Sequence, residues 1–409
     1  MNGETRPPRT FLEAIFDVID SVARRAVDMI PLGRGIKNVV KSKGEDLIGW
    51  DHVREIAEAT LELQRNLPEP ISSYMIDQYQ NMLLAAQAQV EAYTGLTAAN
   101  LPERVEVFSQ QDWIRANIAS FRFLFDPISD RYLSAVEELE GSREVPGAGA
   151  GARKFARSIL SIQVGLIMGY LSRNVLGQFD LSLPEPEKGS KLYVVEPNVR
   201  RLEVEMGLDP REFRQWITLH EVTHSYEFHC NGWLREYLTS SLQEYLSTID
   251  WRGIPRPDLM RMARRRAEKE DALRAGGLLS IISTPEQRAI LSRLQAAMSL
   301  LEGYSNHVMD QVGKELLATY PRMKERFERR RESKNGAEKL FQRLIGISLK
   351  LQQYKLGQAF VDAVVEKEGI AFLNRVWEGP EFMPSLEEIH SPAGWIGRVG
   401  RPPSPPAGY

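Results

Sequence analysis

The chain has 409 residues, of which 43% are hydrophobic and 26% charged, and a formal net charge of −3. This is the composition of an ordinary soluble globular protein, long enough for two or three subdomains, and the charge balance argues against a general nucleic-acid binder. Cys230 is the single cysteine, which excludes an intrachain disulfide and fits a reducing, cytoplasmic setting.

In chain order, the first text is polar (Met1 to Pro8) and lacks the charged-then-apolar order of a signal peptide. Helical periodicity then dominates, with predicted helices near 11–30, 51–66, 70–93, 111–122 and 130–140. Gly141 to Gly151 is rich in Gly, Ala and Pro and reads as a loop separating an N-terminal helical region (1–140) from the rest. A helix near 153–175 follows. It contains the most apolar stretch, Ile159 to Leu171, which is too short to span a bilayer. Phe179 to Leu183 and Lys191 to Val195 flank a turn-rich segment and read as a β-hairpin. Such a strand beside a catalytic helix could pair with an extended peptide; a purely structural hairpin fits the pattern as well.

The segment 210–230 carries the most specific signal, His220-Glu221-Val222-Thr223-His224. Two imidazoles four residues apart on one helix point the same way and can grip one metal ion, and the glutamate between them can accept a proton from a water on that ion. Asp209-Pro210-Arg211-Glu212 reads as the helix start, with Asp209 as cap and Glu212 reaching back; Asn231-Gly232 reads as the stop. Phe213, Trp216, Ile217, His220, His224 and Glu227 share one stripe, which carries the histidines inward. His229 falls on the opposite side of the helix and reads as a surface or packing histidine, and His52 and His390 read as structural.

Helices are predicted further at 234–249, 257–275, 285–314, 321–332, 336–353 and 355–367, before a Pro/Gly-rich disordered tail at 400–409. The basic runs Arg261 to Arg266 and Arg329 to Arg331 read as solvated helix faces. The fold class expected is mainly α with one small β-hairpin, the metal-binding region covering 153–399.

A catalytic zinc site wants three protein ligands. The residue six after His224 is Cys230, so a metzincin-type third histidine is absent. Glu302 is the better candidate: it lies on the helix opened by Thr284-Pro285-Glu286-Gln287 and shares a stripe with Leu291, Met298 and Met309. A buried carboxylate needs a cation. A glutamate on a downstream helix resembles the gluzincin arrangement. Asn306, one turn on, could orient a ligating histidine, and His307 is the rival third ligand. Glu227 could be a supporting or fourth ligand. Tyr304 and Tyr226 are possible oxyanion donors, with nothing to select either.

Taken together, Gly169 to Ser172, Val175 to Asp180, Tyr193 to Asn198, Trp216 to His224, Ser299 to Gly303, Val308 to Asp310 and Leu373 to Pro380 resemble a bacterial family of uncharacterised zinc-dependent metallopeptidases, in order along roughly residues 10–400. The resemblance implies a helical zincin-like fold, metal binding by His220 and His224, a base at Glu221 and ligation by Glu302. The function expected is a hydrolase with one zinc per chain, acting on a peptide or small amide with no nucleic-acid or membrane partner. A metal-stabilised scaffold or peptide-binding protein is the alternative, and a metal-free helical interaction protein a weaker one.

Overall fold

The computed structural model describes residues 48–62, 71–123, 126, 161, 162, 164–179, 191–248, 284–332 and 347–400. The predicted elements at 11–30, 130–140, 141–151 and 257–275, most of 336–353, and the tail after Gly400 lie outside the described residues. By packing, the chain divides into two units interleaved along the sequence: residues 1–70 with 108–175, and 71–107 with 176–409. The sequence-based boundary at 141–152 lies outside the described residues.

In the first unit, α1 (Trp50–Glu62) lies against the helical stretch 164–172. Two glycines set the approach. A Cβ at Gly165 would sit 2.8 Å from Ile56 Cβ, and one at Gly169 would sit 2.2 Å from Thr60 Oγ1. Ser161 Oγ caps the start of α1 by accepting from the Gly49 amide at 2.9 Å.

The second unit carries the histidine motif. Its helices are α2 (Ser73–Thr94), α3 (Glu196–Met206), α4 (Pro210–His229), α5 (Gly232–Ser247), α6 (Pro285–Leu316), α7 (Tyr320–Glu332) and α8 (Ile347–Glu368). Three short ones follow: α9 (Ile370–Leu373), α10 (Leu386–His390) and α11 (Pro392–Val399). One hydrophobic core joins them, with Tyr79, Phe213, Tyr226, Tyr304, Phe360 and Trp395 fully buried in it. The motif helix α4 packs against α2, α6 and a small sheet.

The sheet contains the expected antiparallel pair and adds a third strand to it. Its strands are β1 (Arg104–Phe108), β2 (Gly177–Phe179) and β3 (Lys191–Val195), in the order β1-β3-β2. The first hairpin strand begins two residues earlier than expected and pairs antiparallel with β3, in the register Gly177↔Val194 to Phe179↔Leu192. β3 is the middle strand, paired on both sides; among the described residues the edge strand that packs against α4 is β2.

The caps explain where α4 and α6 begin. Asp209 accepts from the Glu212 amide at 2.9 Å and Pro210 opens α4. Glu212 does not reach back as expected. Its carboxylate accepts from the amide of Thr319 at 2.8 Å and from that residue's hydroxyl, which ties the start of α4 to the turn after α6. Thr284 and Gln287 form the full capping box at the start of α6.

Candidate metal centre

α4 holds its motif by a split between core and site. Phe213 and Ile217 are buried, and Trp216 stacks on Phe213 and meets Phe327 at a tilt. This anchoring fixes the rotation of the helix and turns His220 and His224 to the same side. Their Nε2 atoms lie 3.2 Å apart, and each is 3.9 Å from Oε2 of Glu302, which comes from mid-α6. The structure thus brings His220, His224 and Glu302 together from two helices.

The spacing suits a metal ion. Ligands about 2.1 Å from a tetrahedral zinc are about 3.4 Å from one another, close to the distances found. These three groups, all within 4.8 Å of one another, form the single set of three His, Cys, Asp or Glu side chains with such spacing among the described residues. The charge balance points the same way. Glu221, Glu227 and Glu302 are all buried, at 8%, 0% and 8% exposure. Such a concentration of carboxylates calls for positive charge.

One histidine is visibly oriented. His224 donates from Nδ1 to Oε2 of Glu227 at 2.7 Å, which turns Nε2 into the site as the atom whose proton a cation would replace. Ser305 Oγ lies 3.1 Å from the same Nδ1 and donates to the other oxygen of Glu227 at 3.1 Å. Burial opposes a charge on His224, but Glu227, then Glu302 and Glu221, outweigh it and raise its pKa to about 9. Burial pushes Glu227 up to about 7 against the pull of His224 and Ser305.

The residues weighed as alternatives are placed elsewhere. His307 turns one nitrogen to Tyr93 Oη at 2.7 Å and the other to Asp362 Oδ1 at 2.6 Å, so neither is available beside Glu302. Ser305, not Asn306, occupies the position against His224. Tyr304 is fully buried, its hydroxyl donating to Asn374 Oδ1 at 2.8 Å and its ring set edge-on to Trp377. Tyr226 donates to the Gln87 carbonyl at 3.1 Å. Neither hydroxyl is free to serve an oxyanion. His229 donates to the Ser225 carbonyl at 2.7 Å, in keeping with a packing role. Glu227 contacts the outer nitrogen of His224, the wrong side for a fourth ligand.

Sequence reasoning missed two residues. Ser305 was one position from the residue chosen. Gly177, on β2, lies against Glu221: a Cβ built there would be 2.7 Å from Glu221 Cγ.

The sequence profile of the zincin-like metallopeptidases matches residues 48–396. The chain belongs to the zincin-like metallopeptidase family. As such it is a hydrolase by kind, and the zinc expected of a zincin could be held by the cluster of His220, His224 and Glu302. A solved structure from Chloroflexus aurantiacus, described as a "putative hydrolase with a novel fold", is 34% identical. The match covers 87% of this zincin-like chain and 99% of that one, with a TM-score of 0.63. No curated protein matches it. Among the described residues of this zincin-like protein, no helix is long and apolar enough to cross a membrane.

Proposed function

We propose that this zincin-like protein is a zinc-dependent hydrolase that cleaves peptide or related amide bonds, with Glu221 as general base. The observation that carries the reading is the meeting of two imidazoles and the Glu302 carboxylate, with Glu221 buried on the same helix between the two histidines. A divalent zinc in that donor set supplies Lewis-acid polarisation and makes water acidic near neutral pH. His220, His224 and Glu302 hold and orient it. Glu221 takes the proton from the attacking water and returns it to the leaving nitrogen. Burial of Glu221 raises the strength of each of these electrostatic contacts.

The substrate strand is proposed to lie along β2, not along 191–195. β3 already spends its backbone donors and acceptors on two neighbours, whereas β2 is paired with β3 alone among the described strands. A main-chain partner laid on β2 would pass beside Glu221.

A closed structural site would need a fourth protein ligand. The two residues weighed for that role, His307 and Glu227, face Tyr93 with Asp362 and the outer face of His224, which supports the open, catalytic reading. The test is Glu221→Gln. The variant is expected to keep its fold and its zinc while turnover of an internally quenched peptide library falls about 100-fold or more. Wild-type rates in that variant would remove Glu221 from the mechanism.

A further inference from the structure

Gly177 begins the edge strand β2 and pairs with Val194 of β3. The Glu221 side chain lies directly under it. A Cβ at position 177 would meet Glu221 Cγ at 2.7 Å, Oε1 at 2.9 Å and Cδ at 3.0 Å. The first two are distances that real Cβ atoms essentially never show, and the third is tighter than most. The contact runs along the side chain from its methylene to its carboxylate oxygen, so bending the tip alone does not relieve it. Glu221 is itself only 8% exposed, which limits where it can go. Glycine is a weak strand former, and Gly177 carries no positive φ among those the structure records. The reason for glycine here is the room it leaves.

We infer that Gly177 is a positioning residue for Glu221: the bare backbone of the edge strand is the wall against which the carboxylate is set. This rests on the reading of Glu221 as the base. The wall also couples two jobs, because the strand that positions the base is the one proposed to receive the substrate. A side chain at 177 drives Glu221 off its place while leaving His220, His224 and Glu302 untouched.

The test is a pair of double-substitution cycles in the full-length, zinc-loaded chain. For activity on an internally quenched peptide library, Gly177→Ala is expected to lower kcat about 100-fold, the effect of a misplacement of about 1 Å, with little change in KM or in zinc affinity measured by chelator competition. Added to Glu221→Gln, the same substitution is expected to cost nothing more. For stability, read from the urea midpoint, Gly177→Ala is expected to destabilise the wild-type background and to be tolerated once Glu221→Ala has emptied the space beneath it. Equal destabilisation in both backgrounds, or a kcat close to wild type, overturns the inference. A fully active Glu221→Gln variant instead overturns the assignment of the base, and the stability cycle still reports whether position 177 confines that side chain.

Discussion

At the scale of single residues, the site is organised by its supporting groups as much as by its ligands. Glu227 is fully buried, accepts from His224 at 2.7 Å and is itself held by Ser305. That pair holds a proton on the outer nitrogen of His224 and leaves the inner nitrogen as the one a metal would take. Glu227→Gln keeps the shape but offers an amide where a carboxylate now accepts. It is expected to weaken zinc binding roughly 10- to 100-fold, read by competition with a chromogenic chelator, with Ser305→Ala following in the same direction and to a smaller extent. An unchanged affinity in Glu227→Gln would deny the carboxylate its orienting role. The meeting of His220, His224 and Glu302 was legible in the sequence, because i,i+4 spacing and a shared stripe fix which side chains lie on one face. The choice between Ser305 and Asn306 was not. Both lie about one turn beyond Glu302, and which one meets His224 depends on how α6 crosses α4, a property of neither sequence alone.

At the scale of elements, the placement of Glu302 depends on a helix crossing. α6 and α8 meet at two glycines: a Cβ at Gly303 would lie 2.3 Å from the carbonyl carbon of Gly357, and one at Gly357 would lie 1.8 Å from the Ser299 oxygen. The two backbones are in direct contact, one residue from Glu302. Gly357→Ala must push α8 away from α6. Overpacking of this kind costs about 1–3 kcal/mol or more, against a gain of no more than about 1 kcal/mol in helix propensity. A lowered urea midpoint together with reduced zinc occupancy is the expected result; full stability would show that the helices can part freely. The helix starts were readable because Asp209-Pro210 and Thr284-Pro285 with Gln287 are local chemistry. α3 escaped notice because its N-cap is Val195, which has no side chain to accept a hydrogen bond. β1 escaped for a different reason. Arg104-Val105-Glu106-Val107 does alternate, but five residues are a weak signal, and its partner β3 lies more than eighty positions away. Strand order is non-local, so the middle position of β3 could not be read from the pattern of 191–195.

At the scale of the molecule, the histidine motif sits in a unit built from two separated stretches, 71–107 and 176–409. Composition does not reveal such interleaving, because the chain leaves the unit and returns to it. A buried charge cluster ties the early stretch to the motif helix. Tyr79 of α2 donates to Glu196 at 2.7 Å, and Arg214 of α4 reaches both Glu196 and Glu203 of α3 at 2.8 Å. Two carboxylates share one guanidinium, and Tyr79 serves only Glu196. Burial therefore raises Glu203 to about 7, only partly opposed by Arg214. A carboxyl raised from its ordinary value of about 4.5 favours the folded state while it is protonated. Its contribution is complete below pH 4.5 and is lost as pH rises through 7. Glu203→Gln, which keeps the neutral form, is expected to gain stability relative to wild type between pH 5 and pH 7.5 in paired urea titrations. A difference independent of pH would show that Glu203 is ionised throughout.

The most direct test of the whole account is X-ray absorption at the zinc edge on the full-length chain purified with zinc supplied. One zinc per chain in a nitrogen and oxygen shell with two imidazoles, with the signal lost in Glu302→Ala, is the result expected. A chain that takes up no zinc under those conditions, or one whose zinc shell is unchanged in Glu302→Ala, would contradict it.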